Sequence, residues 1–137
     1  MEIYFENEYV TVGYIKELNA VTQIWKEFKI ISLENYQLAF MKSQELQKQK
    51  KAETFLPDTR KQGIINPEQR KWLINESFPK AVKIGMKRIV VIADMNVFKR
   101  YYLNTLMASI NKFKIPFKIF SDEEKAHQWI KKLDKNL

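Results

Sequence analysis

The chain has no cysteine and a single histidine, His127. The first absence removes disulfide frames, cysteine metal knots and thiol nucleophiles; the second removes histidine clusters and most base-assisted hydroxyl nucleophiles. Long hydrophobic runs are missing too: no stretch approaches the ~20 apolar residues of a membrane helix. The opening MEIYFENEYV is acidic, whereas a secretory signal starts basic and turns apolar. The expectation is therefore a cytoplasmic protein with no membrane span, no cofactor and no enzymatic activity. Arginine is scarce as well, occurring only at Arg60, Arg70, Arg88 and Arg100, so the formal net charge of +8 is carried mainly by lysine. The planar fork that reads phosphates and guanines belongs to arginine. The excess is also local: residues 1–17 carry one lysine against four glutamates, whereas residues 48–88 carry eleven basic against four acidic side chains. This pattern reads as a solvated, solubilising face, and nucleic-acid binding through the Lys-rich 48–88 region is the less favoured alternative.

What is present is enough for one domain, since 137 residues can enclose an apolar core without disulfides, and no linker, repeat or low-complexity segment divides the chain. EYVTVGYIK (8–16) and AVTQIWKEF (20–28) alternate like half-buried strands and form a hairpin. Ser32 opens a helix that runs to about residue 50 with Tyr36 and Phe40 on its apolar face. AETFLP is a short strand. Asn66 and Pro67 then open a second helix with Gln69 placed to close a capping box, and Gly85 ends it. KRIVVIAD (87–94) is a β-branched run of the kind covered on both faces, NVFKRYYLNTLMASINK a third helix, and KIPFKIF a last strand. Ser121 with Glu124 predicts a capping box for the final helix. The order β-β-α-β-α-β-α-β-α implies an α/β domain over residues 1–137: a mostly parallel five-stranded sheet with four helices and an antiparallel hairpin at its edge.

TQIWKEF, the long helix, ETFLPDTR, NPEQRKWLINESFPKAVKIGMKRIVVI and FKIFSDEEKAHQWI together resemble the bacterial STAS-like group. That group is similar to the anti-sigma-factor antagonists and, more distantly, to the CRAL-TRIO lipid-transfer fold. The resemblance spans nearly the whole chain. It implies a regulatory or protein-interaction module, with a carrier or sensor of a small apolar or lipid-like ligand as the alternative. It also implies a phosphorylatable hydroxyl in a turn between strand and helix, here Thr59 in Asp58–Thr59–Arg60–Lys61. This chain departs from that pattern: glycine comes only at Gly63 and the helix only near Asn66, so Thr59 does not stand on a helix N-terminus. Phosphorylation of Thr59 is not the expectation.

In parallel sheets ligands sit outside the carboxyl ends of the strands. Asp58 and Asp94 both end strands, and Asp58, Thr59, Arg60, Asp94 and Asn96 are the expected ligand or partner rim. The bland alternative is an Asx turn at Asp58 with Arg60 as its charged tip. Tyr101 and Tyr102, adjacent on one helix, and the Trp25 and Phe28 side of the hairpin predict an interface for a protein partner or a homodimer. A carrier needs a cavity, which in a chain this small would compete with the core for apolar side chains. No metal ligand set is expected around His127.

Overall fold

The computed structural model describes residues 1–94 and 96–135, and of residues 97–101 and 135 the backbone alone. In chain order the elements are β1 (Glu2–Glu6), β2 (Val10–Ile15), β3 (Ala20–Trp25), α1 (Leu33–Lys50), β4 (Thr54–Asp58), α2 (Pro67–Trp72), a π-helical stretch (Leu73–Ser77), α3 (Phe78–Lys83), β5 (Arg88–Ile92), α4 (Val97–Ile110), β6 (Phe117–Phe120) and α5 (Glu123–Lys135). α2, the π stretch and α3 run on as one helical segment, so four helical segments pack on the sheet. The sheet has six strands in the order of the chain. β1, β2 and β3 pair antiparallel, and β3 to β6 pair parallel.

The extra strand is β1, which corrects the expected five. Its sequence EIYFE alternates, but Phe5 is its one half-buried residue, so the apolar signal is weak. Polar contacts hold it in place: Tyr4 donates to Glu45 at 2.7 Å, and Lys50 pairs with Glu2 at 3.4 Å. β1 and β6 form the sheet edges, and β3 is interior, so the hairpin has no free edge on its Trp25 side.

The period-two alternation of β5 distributes its side chains to both layers. Ile89 and Val91 join Phe78, Leu103, Leu106 and Phe117 under α3 and α4, while Val90 and Ile92 join Leu18, Leu56, Ala126 and Ile130 under α5. A third cluster fills the space between α1 and the hairpin: Trp25 stacks on Tyr36 with ring centroids 5.7 Å apart, and Phe40 lies against Tyr36 at 5.0 Å.

Most helix starts follow their local signals. Ser32 accepts from the Asn35 N–H, and Asn66 and Gln69 form the reciprocal capping box. Gly85 lies at φ 114°, outside the range comfortable for a side chain. α5 is the exception: the cap is Asp122, whose carboxylate accepts from the N–H groups of Glu124 (2.7 Å) and Lys125 (3.2 Å), and not Ser121.

Candidate functional site

The parallel strands bring three segments together at their carboxyl ends: residues 26–31 after β3, 59–66 after β4, and 93, 94 and 96 after β5. A hydrogen bond from the Ile64 N–H to the Lys29 carbonyl (3.3 Å) joins the first two. The second is fastened to β5 by Thr59, whose N–H (2.8 Å) and hydroxyl (3.1 Å) both donate to the Ile92 carbonyl. Between these loops and α4 lies a cavity of about 630 Å³. Phe28, Ile30, Ile64, Ile65 and Leu103 give it an apolar wall, and Thr59, Arg70, Asn96 and Tyr102 contribute polar groups. Its floor continues past Thr59, Gln62, Tyr102 and Leu103 into a void of about 60 Å³ bounded by Trp25, Tyr36 and Phe40.

Alternation along β4 divides the expected rim. Phe55, Pro57 and Thr59 face the helices α1 to α4, whereas Leu56 and Asp58 face the α5 side. Thr59 and Asn96 therefore line the cavity, while Asp58, Arg60 and Asp94 line a separate groove of about 590 Å³ on the opposite face of the sheet. The structure does not bring the five together. Asp58 is 9% exposed and fully engaged. It accepts from the Arg60 backbone N–H (3.1 Å), from Nε (3.0 Å) and from the terminal guanidinium nitrogen (2.7 Å). That bidentate clamp, assisted by Glu123 and Asp94, raises the Arg60 pKa above its ordinary value. Glu123 also lies 3.7 Å from His127 Nε2. Among the described residues no group of three or more His, Cys, Asp or Glu side chains is placed to hold a metal ion, and no helix is long and apolar enough to cross a membrane.

The expected aromatic interface is corrected in part. Trp25 is 2% exposed and hydrogen-bonds through Nε1 to the buried Gln23 (2.8 Å), so it is core rather than surface. Phe28 packs edge-on against Tyr9 and Trp25 and lines the cavity. Tyr102 is half-buried on the cavity wall, and the side chain of Tyr101 lies outside the described residues.

Sequence reasoning missed Gln62, Gly63, Arg70 and the pairing of Tyr36 with Tyr102. One signal was available for the rim: adjacent residues of a strand point to opposite faces, so Asp58 and Thr59 cannot both serve one site. The tyrosine pair carries its own consequence. Burial pushes the Tyr36 phenol well above its ordinary range, and its hydrogen bond to Tyr102 raises it further. Burial likewise lifts Tyr102 to about 12, against the lowering effects of its hydrogen bonding with Tyr36 and the charge of Arg70. Both folded values exceed the unfolded value of 10.0, so the stabilisation is complete below that pH and is lost as pH climbs toward about 12. Titration of tyrosinate absorbance is expected to show Tyr36 and Tyr102 ionising late, together with loss of the fold. Ionisation of Tyr36 and Tyr102 near 10.0 while the fold persists would contradict this assignment.

A family model matches residues 14–134, and its description is domain of unknown function (DUF7793). No curated protein and no solved structure matches the chain.

Proposed function

We propose that this chain, which belongs to the DUF7793 family, binds a small, largely apolar molecule in the cavity at the carboxyl ends of β3, β4 and β5. The observation that carries this reading is the cavity itself, about 630 Å³ with a mostly apolar wall, within the range of small-molecule sites. It lies between loops and the α4 flank, and of the buried cluster residues its wall takes Ile65 and Leu103, so the competition between core and cavity is limited. The role is that of a carrier or sensor without chemistry of its own. The likeness to STAS-like domains belongs to the same proposal and is supported by the α/β layering.

A second reading, a partner-binding module, is favoured by Ile30 and Ile64. They are 76% and 71% exposed and stand on the two joined loops at the cavity mouth. Lone exposed isoleucines are ordinary, but a pair on the rim of an apolar opening suits a protein surface.

Native mass spectrometry of the protein purified from cells separates the two. A retained small molecule, released by organic extraction, is the expected result. A clean mass with a stoichiometric co-purifying protein, and no uptake of an apolar fluorescent probe, would replace the carrier by the module.

A further inference from the structure

The cavity is apolar over most of its wall, yet one guanidinium stands in it without a counter-charge among the described residues. Two other arginine side chains of the described residues end on aspartates, Arg60 on Asp58 at 2.7 Å and Arg88 on Asp134 at 2.6 Å. Arg70 does not. One of its terminal nitrogens donates to the Ile65 carbonyl at 3.0 Å, and its guanidinium lies 5.5 Å from the centre of the Tyr102 ring. Among the described residues no carboxylate comes within ion-pair distance of it. Its side chain is half-buried in the cavity wall. A guanidinium has five N–H donors in a fork that fits two oxygens of one anion, and the bond to Ile65 uses one of them.

Tyr102 adds a second polar group on the same wall. Its ring lies 5.5 Å from the Arg70 guanidinium, and its phenol hydrogen-bonds with that of the more deeply buried Tyr36. The apolar part of the cavity runs from these two groups past Leu103 to the smaller void beside Phe40 and Leu106.

We propose that the ligand is an amphiphile with one anionic head, a carboxylate or phosphate on an apolar chain, whose head docks on the Arg70 fork beside the Tyr102 hydroxyl while its tail lies along Leu103. This inference rests on the apolar-cavity reading above and names the class of molecule that the cavity selects.

The test compares dodecanoate, dodecyl phosphate and dodecanol, which share a tail and differ in the head. Binding to the full chain at neutral pH is followed by the fluorescence of Trp25, which borders the inner void, and of Trp72, which packs on Tyr36. At least one of the anions is expected to bind more tightly than the alcohol by about tenfold or more. R70Q is expected to bring that ratio close to one while the alcohol binds as before. Equal binding of all three probes by the unmodified protein overturns the anionic head but leaves the apolar cavity standing. Binding of none overturns both. An anion preference that survives in R70Q removes Arg70 from the role, and Arg70→Lys, which keeps the charge without the fork, serves if R70Q does not fold; it is expected to retain only part of the preference.

Discussion

Replacing Gly63 by alanine is expected to cost the fold about 3 kcal/mol, at the upper end of what overpacking costs, and to lower the melting temperature by about 10 °C. A Cβ built on Gly63 would lie 1.9 Å from the Phe28 carbonyl oxygen and 2.8 Å from the Phe28 ring. The first of these is backbone, so no rotamer change relieves it; loop 59–66 has to move away from loop 26–31. Phe28 cannot retreat, because its ring is wedged against Tyr9 at 5.9 Å and Trp25 at 6.0 Å. Moving the loops apart would break the bond from the Ile64 N–H to the Lys29 carbonyl that joins them at the cavity mouth. The variant should therefore lose affinity for an uncharged apolar probe along with stability. Thermal unfolding followed by circular dichroism reads the first effect, and probe fluorescence reads the second. Melting within about 2 °C of the parent would mean that the loops have slack and do not define the cavity.

The elements that were legible beforehand are those whose signal is local or doubly enforced. IVVI reads as a buried strand because both faces are covered, and all four residues are enclosed. Ser32 and the Asn66–Gln69 box announce helix starts because capping involves only a few consecutive residues. β1 was missed since a five-residue edge strand with one half-buried side chain carries almost no burial pattern. At α5, Ser121 and Asp122 are both good caps. Only the backbone path shows that the Asp122 carboxylate meets the two N–H groups. The site was less legible than the fold. Asp58 drew attention by its charge, yet that charge is consumed by Arg60 within its own turn. Arg70 and Tyr102 draw none, because they lie on different helices and meet only when α2 and α4 are laid on the same face of the sheet. A cavity is a property of what the chain fails to fill, and periodicity has no term for it. The same holds for Gly63, whose lack of a side chain acquires meaning only once Phe28 is beside it.

Gln69 is expected to be the second costly position, with Gln69→Ala losing roughly 2–4 kcal/mol, the sum of a helix cap at about 1 and an unpaired buried carbonyl at about 1–3. The side chain is 1% exposed and does two things with its two ends. Its oxygen accepts from the Asn66 N–H at 2.9 Å and so completes the capping box of α2. Its amide nitrogen donates to the Ile31 carbonyl at 2.6 Å and so ties the loop after β3 to the helix that carries Arg70. Alanine removes both contacts and leaves the Ile31 oxygen buried without that donor. Gln69→Glu separates them, since a carboxylate still accepts from Asn66 but cannot donate and would set two oxygens face to face at the Ile31 carbonyl. If the bond between loop and helix matters more than the cap, glutamate should be no better than alanine in denaturant unfolding at neutral pH. It should improve as the pH falls and the carboxyl gains a proton to donate, in a window where Gln69→Ala shows no matching gain. A glutamate variant as stable as the parent at neutral pH would leave the cap as the whole role of Gln69 and detach α2 from the framing of the cavity.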